Sequence, residues 1–222
     1  MDSVAVTIKT VEKTGVFNNI DEKLYEKHYY VNYTHLFLEN DHGRIYLELD
    51  KVSDVNELEE CLLSIPDVIS VNTHDTLDDI YGKRVIVLGH GEVMAKSLQG
   101  AIMEAELHNA ADETISVDGM IIGGGSEITE AVSTINKLPR VNAIVLSGTM
   151  MGGEITDEIK KLKNQDKNLP IISLDMLGDL DSVVDLVIPD PIHAGAMAVK
   201  LVSDKDSYDN DLIDDKFLNK DI

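Results

Sequence analysis

The apolar and polar positions of residues 4–74 predict short strands and helices in the order strand, helix, strand, strand, helix, strand. The strands show alternating apolar residues, and the helices show apolar residues at three- and four-residue spacing. The predicted strands are residues 4–11, 32–39, 44–49 and 67–74, and the predicted helices are residues 16–28 and 54–64. Residues 40–43 (NDHG) predict a hairpin turn between the second and third strands. This order predicts an antiparallel sheet of the ferredoxin-like type with both helices on one face.

From residue 80 onward the pattern changes to strands that alternate with helices. Residues 84–88 (RVIVL) form a continuous β-branched run of the kind that is buried on both faces of a parallel sheet. After residues 89–91 (GHG), a helical pattern begins at Glu92. Further strands are predicted at residues 115–122, 142–147, 169–176 and 185–190, and further helices at residues 126–138, 154–164 and 191–203. This alternation predicts an α/β domain with a parallel, three-layer, Rossmann-like sheet in flavodoxin-like strand order.

The first part of the chain also resembles a known family, the ACT domain. The resemblance rests on residues 14–20 (TGVFNNI), on Val31 and Asn32, and on residues 65–71 (IPDVISV). These stretches match the family's glycine–apolar pair at the first helical turn, its asparagine opening the second strand, and its closing P-x-V-x-x-V strand. The resemblance covers nearly all of residues 1–74. Together with the second pattern, it predicts an ACT-like regulatory domain over residues 1–79, a Rossmann-like domain over residues 80–203 and a flexible acidic tail over residues 204–222.

The resemblance also implies a ligand and an assembly. ACT domains usually bind amino acids or similar small effectors and commonly pair side by side, which implies an anionic or zwitterionic effector and a homodimer or higher homo-oligomer. By the same resemblance, the effector would contact the first turn and the second strand at Glu12, Lys13, Thr14, Gly15, Val16 and Asn32. The chain departs from the family pattern where Glu12 and Lys13 replace a frequent Asp or Asn. A glycine at position 15 suits either a carboxylate that approaches the backbone closely or a turn with positive φ.

Glycine and polar side chains are concentrated where the predicted parallel strands end. Ligands of such sheets bind beyond the carboxyl ends of the strands, where helix N-termini can hold a carboxylate or phosphate. The residues predicted to contact a ligand on this C-terminal rim are Gly89, His90, Gly91, Gly124, Gly125, Ser126, Ser147, Gly148, Thr149 and Asp175. Alternatively, these loops contain Gly and Ser because tight turns favour them.

The rim lacks the motifs of common cofactor sites. A dinucleotide site needs a small residue at the third glycine position of G-x-G-x-x-G, where this chain has Met94. The G-K-[ST] of a phosphate-binding loop is absent as well. The sequence therefore predicts neither a cofactor nor a metal site.

The charge of the chain narrows the possible partners. A formal net charge of −22, from 41 acidic and 19 basic residues, repels nucleic-acid phosphates and anionic lipids, so neither nucleic acid nor a membrane is an expected partner. The sequence has no apolar run of about 18 residues and no secretion signal, which predicts a cytoplasmic protein. The single cysteine, Cys61, lies in an apolar helical pattern typical of a core residue.

These observations predict a non-catalytic regulatory protein that senses a small anionic or amino-acid-like metabolite. Its two-domain arrangement resembles uncharacterised ACT-containing proteins of methanogenic archaea. Two alternatives remain open at this stage. One is an ACT-regulated enzyme with its active site on the C-terminal rim, with His90 as a candidate base and Asp175 as its partner. The other is a pure assembly scaffold.

Overall fold

The structure is a computed structural model that describes residues 2–39, 41–123, 126–148, 154–165, 168–174 and 179–204. The chain divides into two compact units, Met1–Ile80 and Tyr81–Ile222. Together they contain one antiparallel and one parallel sheet, which confirms the predicted α/β class. Among the described residues, every helix is too short or too polar to cross a membrane.

The N-terminal unit is a four-stranded antiparallel sheet with two main helices. Its strands are β1 (Asp2–Val11), β2 (Tyr30–Glu39), β3 (His42–Val52) and β4 (Val68–His74), and the helices are α1 (Val16–Glu26) and α2 (Val55–Leu63). The strand order is β2-β3-β1-β4, and all neighbouring strands are antiparallel. This is the ferredoxin-like arrangement that the element order predicted. It leaves β2 as an edge strand.

The two faces of this sheet differ in their cover. Val6 and Ile8 of β1 and Leu47 of β3 lie on the face that packs against the helices, where Ile20 and Leu62 complete the core. Because successive residues of a strand point to opposite faces, their neighbours form a second face, here called the outer face. The outer face carries Thr7 and Lys9 of β1, Tyr33, His35 and Phe37 of β2, and Arg44 and Tyr46 of β3.

Helix α2 begins with a side-chain cap, and its cysteine is a core residue, as predicted. The Asp54 side chain caps the helix by accepting hydrogen bonds from the backbone N–H groups of Asn56 (2.8 Å) and Glu57 (3.2 Å). Cys61 is buried in the helix, and this burial raises the pKa of its thiol. The cysteine is therefore a core residue with suppressed nucleophilicity.

The residues at the boundary of the two predicted domains contain a short helix, α3 (Leu77–Tyr81). Its start is held by a capping box, because the Thr76 backbone N–H donates to Asp79 (3.1 Å) and the Asp79 backbone N–H donates to the Thr76 hydroxyl (3.1 Å). The pattern T-x-x-D was present in the sequence, but five residues give too little helical periodicity to indicate a helix.

The C-terminal unit contains a five-stranded parallel sheet. Its strands are β5 (Lys83–Gly89), β6 (Ile115–Ile121), β7 (Val141–Ser147), β8 (Ile171–Ser173) and β9 (Leu186–Val187). Its helices are α4 (Gly91–Asn109), α5 (Ser126–Thr134), α6 (Glu154–Gln165) and α7 (Pro191–Val202). The strand order β6-β5-β7-β8-β9 corresponds to 2-1-3-4-5, the order of flavodoxin-like sheets.

Burial explains why the central strands are so apolar. Residues 85–88 of β5 and residues 143–146 of β7 are fully buried. Since consecutive side chains point to opposite faces, both faces of the sheet centre must be covered. Within the described residues, β8 and β9 are shorter than predicted, and Pro170 and Pro189, which have no N–H to donate to a sheet, lie next to or near their ends.

Candidate functional site

A cavity of about 420 Å³ lies where β1 leads into α1, and it is here called the α1 cavity. The ends of β1 and β2, the start of β3 and the first residues of α1 form its walls. Its lining residues are Thr10, Val11, Glu12, Lys13, Thr14, Gly15, Val16, Phe17, Leu36, Leu38, Gly43 and Ile45. Five of the six residues predicted to contact an effector, those at positions 12–16, therefore lie together at this cavity.

The start of α1 presents unpaired backbone donors to the cavity region. Gly15 precedes the helix with φ +93°, and a Cβ added there would meet no atom within 4 Å. Among the described residues, no side chain caps α1, and its first turn carries no acidic residue. The first N–H groups of a helix have no intrahelical partner, and the helix dipole adds partial positive charge at this end. An anion can therefore approach the backbone at Gly15 without meeting a side chain.

The cavity combines charged groups at its mouth with apolar walls. The Lys13 ammonium lies 2.5 Å from the Asp67 carboxylate, and both groups are partly exposed. Glu12 is exposed at the same turn. Leu36, Leu38 and Ile45 line the opposite side of the cavity. This arrangement suits a small molecule that has both a charged end and an apolar end.

The cavity floor depends on a close approach of β1 and β3. A Cβ on Gly43 would lie 2.4 Å from the hydroxyl oxygen of Thr10, which is buried beneath it. A larger residue at position 43 would therefore force the two strands apart or displace Thr10. Neither residue was predicted to be part of the site, since strand register is not visible in the sequence.

Asn32 is the one predicted effector contact that the structure does not bring to this cavity. It lies at the start of β2, whereas the cavity involves the end of that strand. Hydrogen bonds from Ser3 and from the Asn32 side chain lower the pKa of Asp50. Asn32 therefore links β2 to Asp50 of β3, away from the cavity.

On the C-terminal rim, Gly89 has a steric role. A Cβ on Gly89, which has φ +154°, would lie 1.5 Å from the carbonyl oxygen of Ser147. The same carbonyl accepts a hydrogen bond from the His90 backbone N–H at 3.2 Å. Glycine is required at this position because β5 and β7 approach each other closely where they end.

The side chains of the other described rim residues are only partly available to a ligand. Ser147 is fully buried, and its hydroxyl lies 2.9 Å from the Ser97 hydroxyl of α4. Gly148 is buried as well. His90 is half-buried and precedes α4 in an extended conformation, and Gly91 begins the helix with φ +70°. Among the described rim residues, those open to a ligand are therefore chiefly His90 and Gly91.

Four of the predicted rim residues, Gly124, Gly125, Thr149 and Asp175, lie outside the described residues. Ser126 is the first residue of α5, and its side chain is likewise not among the described parts of the structure. The pairing of His90 with Asp175 therefore stays a prediction.

The electrostatics at the rim differ from those at α1. Three helices that begin there carry an acidic residue in the first turn: Glu92 in α4, Glu127 in α5 and Glu154 in α6. The fourth, α7, is capped by the Asp190 side chain. Glu127 also accepts a hydrogen bond from the Gly123 backbone N–H at 3.0 Å. These carboxylates place negative charge at the electropositive helix starts and so disfavour a second anion there. Among the α-helices in the described part of the chain, α1 alone begins with neither a side-chain cap nor an acid in its first turn.

The comparison with known proteins decides the family. The family described as "Domain of unknown function (DUF5612)" matches residues 74–217. The chain belongs to this family. It is also 39% identical over 208 residues to an uncharacterised protein of Methanocaldococcus jannaschii, covering 93% of this chain and 95% of that protein. A second uncharacterised protein, from Archaeoglobus fulgidus, is 36% identical over 207 residues, covering 90% of this chain and 93% of that protein.

These two relatives extend the similarity of the DUF5612 protein beyond the family match, because an alignment of 208 residues must include residues of both units. Among solved structures, the ACT domain from the GTP pyrophosphokinase of Chlorobium tepidum is 18% identical with a TM-score of 0.29, covering 32% of this chain and 96% of that one.

Proposed function

We propose that this DUF5612 protein is a non-catalytic sensor that binds an amino-acid-like or other anionic metabolite in the α1 cavity. The observation that carries the proposal is an open cavity at the start of α1, the one described α-helix that has neither a side-chain cap nor an acidic residue in its first turn. The ACT-like motifs of residues 14–20 and 65–71 support the same role, since ACT domains bind small effectors at this turn.

The lining of the cavity suggests how such a ligand is oriented. Its carboxylate accepts hydrogen bonds from the first N–H groups of α1, where Gly15 leaves room for close approach. An ammonium group faces the Glu12 carboxylate at the same turn. The apolar part of the ligand packs on Leu36, Leu38 and Ile45.

The edge strand β2 supports assembly as a homodimer through the ACT-like unit. Apart from half-buried Tyr33, every described residue of β2 is exposed, and Leu36 and Leu38 are 51% and 63% exposed. An exposed apolar edge strand is a site for pairing with another strand. A second copy paired on β2 would extend the wall of the α1 cavity and bury these leucines.

In this proposal the C-terminal unit is a three-layer Rossmann-like domain that responds to the ligand state of the N-terminal unit. We assign the ligand to the α1 cavity rather than to the rim because Glu92, Glu127 and Glu154 make the rim helices poor anion sites. Catalysis at the rim has no comparable support among the described residues.

A matched pair of glycine substitutions tests the proposal. Gly15 and Gly91 both have positive φ, and an added Cβ at either position meets no atom within 4 Å. Gly15→Ala and Gly91→Ala should therefore cost a similar amount of folding free energy, about 1–2 kcal/mol. Only Gly15→Ala places a methyl group where the carboxylate is expected.

Ligands are found by a thermal-shift screen of the full-length protein against amino acids and common carboxylic acids, and affinities are measured by calorimetry. We expect Gly15→Ala to weaken binding about tenfold or more, since a hydrogen bond to a charged group contributes about 1.5–3 kcal/mol. Gly91→Ala should leave the affinity unchanged. Loss of binding in Gly91→Ala alone would place the ligand on the rim, and no binding at millimolar ligand would overturn the sensor proposal.

A further inference from the structure

A second cavity, of about 260 Å³, lies on the outer face of the N-terminal sheet, opposite α1 and α2, and Leu77 of α3 is part of its lining. It is here called the outer-face cavity. Aromatic side chains dominate its lining: Tyr33 and Phe37 from β2 and Tyr46 from β3, joined by His35 and Arg44. The α1 cavity is lined by the other face of the same edge strand, so the two cavities share no side chain.

The rings around this cavity stand at different angles. Tyr33 and Tyr46 meet edge to face, with centroids 6.0 Å apart and planes inclined by 67°. His35 and Phe37 lie 5.1 Å apart with planes inclined by 36°. Aromatic rings prefer edge-to-face and offset-stacked neighbours. A flat ring that entered the cavity would therefore find both a face and an edge to contact.

Hydrogen bonds hold Tyr46 in place. Its hydroxyl donates to Glu48 at 2.6 Å, and the same carboxylate oxygen accepts from the Leu77 backbone N–H at 2.7 Å. Burial raises the pKa of Tyr46 far above its usual range, and the bond to Glu48 raises it further. The hydroxyl therefore stays a neutral donor at physiological pH. Fixed rings lose little conformational entropy when a ligand binds.

The cavity also has a cation whose present partner can be replaced. The Arg44 guanidinium lies 5.9 Å from the centroid of the Phe37 ring and 2.6 Å from the Glu39 carboxylate. Both members of this ion pair are more than 40% exposed, and exposed pairs of this kind contribute little to stability. Lys9 and His42 line an adjoining cavity of about 230 Å³ together with Arg44, Gly43 and one acidic residue, Glu39. Basic groups thus gather here although the chain as a whole carries a net charge of −22.

From this arrangement we infer that the outer-face cavity binds a planar aromatic or heteroaromatic molecule that carries a carboxylate or a phosphate. The ring packs against Tyr33, Phe37 and Tyr46, and the anionic group takes the place of Glu39 on Arg44. A guanidinium presents paired donors that match either oxyanion. A volume of about 260 Å³ suits a ligand with one or two rings. This site shares no side chain with the α1 cavity, and the inference does not rest on the sensor proposal.

The test uses the full-length protein with ¹³C-labelled Tyr and Phe rings, observed by NMR. The probes are indole-3-acetate, which carries a carboxylate, and adenosine monophosphate, which carries a phosphate. Indole without a charge and acetate without a ring serve as controls. We expect saturable shifts of the Tyr33, Phe37 and Tyr46 rings with at least one charged probe, and at least about tenfold weaker binding of each control, because each lacks one of the two contacts.

Substitutions separate the site from an unspecific surface. Arg44→Gln should weaken the binding of the charged probe about tenfold or more. Arg44→Lys should give an intermediate loss of affinity, because lysine keeps the charge without the paired donors. Lys160→Gln, which removes a half-exposed cation on α6, should have no effect. Tyr33→Leu should weaken the binding of both charged probes. Tyr25→Leu, which removes an exposed tyrosine of α1, should leave their binding unchanged.

Three outcomes would overturn the inference. The first is the absence of saturable ring shifts with both charged probes. The second is an affinity that Arg44→Gln leaves unchanged. The third is a change of oligomeric state in Tyr33→Leu or Arg44→Gln, measured by light scattering, which would make this face a contact between copies of the chain. Gly15→Ala should retain ring binding, so failure here and failure of the sensor proposal are distinguishable.

Discussion

At the scale of single residues, Glu113 shows how a buried carboxylate can organise a junction. Burial raises its pKa, but hydrogen bonds from the Ser203 hydroxyl, the Asp204 backbone N–H and His108, together with the charge of Lys83, lower it by more, so the net pKa lies below the ordinary value. The Ser203 hydroxyl donates at 2.6 Å and the Asp204 N–H at 2.8 Å. One carboxylate thus ties the end of α4 to the residues that follow α7.

This network predicts a specific loss of stability in acid. Because the folded pKa of Glu113 is lowered, its contribution to stability is fully present above its ordinary pKa near 4.5 and is lost as the pH falls through the folded value. Glu113→Gln should lower the free energy of unfolding at pH 7 by about 1–3 kcal/mol. The difference from wild type should shrink as the pH falls below about 4.5.

Thermal unfolding between pH 3 and pH 8 measures this effect. Glu106→Gln is the control, because Glu106 is an exposed glutamate of α4, the helix that carries His108. Glu104 lies 3.5 Å from the other nitrogen of His108, so the histidine faces two carboxylates. If Glu113→Gln and the wild type differed in stability by the same amount at every pH, the assigned role of the Glu113 charge would be contradicted.

The roles of two glycines, Gly15 and Gly89, could be predicted from the sequence to different extents. The turn at Gly15 could be predicted from the motif TGVF, since the helical pattern begins directly after it. The role of Gly89 could not, because the carbonyl that excludes a side chain belongs to Ser147, 58 positions away. A glycine in a β–α turn looks the same in the sequence whether it admits a ligand or another strand.

At the scale of elements, the contact of α4 with α7 depends on glycine as well. A Cβ on Gly195 would lie 1.9 Å from the carbonyl oxygen of Ser97, and a Cβ on Gly100 would lie 2.0 Å from that of Ile192. The two helix backbones therefore touch directly. A clash at either glycine cannot be relieved by a change of rotamer, because the added Cβ is fixed by its own backbone and the oxygen that it meets belongs to the backbone of the other helix.

Gly195→Ala should accordingly destabilise the protein by about 1–3 kcal/mol, although alanine is normally the better helix former. Gly119→Ala on β6 is the matched control, because the nearest atoms to its added Cβ are the flexible ends of Leu98 (2.9 Å) and Met94 (3.2 Å). The free energy of unfolding of that control should stay within about 1 kcal/mol of the wild-type value. Urea unfolding measures the free energy of unfolding of both variants, and the m-value should be unchanged in each. Equal costs for the two substitutions would show that the helix contact adjusts more easily than its geometry indicates.

Most strands and helices could be predicted because their periodicity is local. Alternation in residues 4–11 and the continuous apolar run of residues 84–88 each identify a strand without reference to the rest of the chain. The apolar residues on both faces of β2 could have indicated that both faces have contacts to make, since a strand with one solvated face would alternate. The cavities that these faces line depend on the pairing of β2 with β3, which no local pattern specifies.

At the scale of the whole molecule, the proposed dimer through β2 gives a direct prediction. Leu36→Lys should convert a dimer to a monomer, because it places a charge in the apolar edge where the second copy is expected. Leu63→Lys is a close control, since Leu63 on α2 is 50% exposed and Leu36 is 51% exposed. Light scattering coupled to size-exclusion chromatography measures the mass. A dimer that survives Leu36→Lys, or a wild-type monomer at micromolar concentration, would rule out this interface.

The placement of β2 has a consequence for the way the N-terminal unit responds to its surroundings. Neighbouring residues of this strand, such as Leu36 and Phe37, line different cavities, so a movement of the β2 backbone would alter both cavities. Two occupants would then be thermodynamically linked through one strand, and whatever factor the first imposes on the affinity of the second, the second must impose on the first.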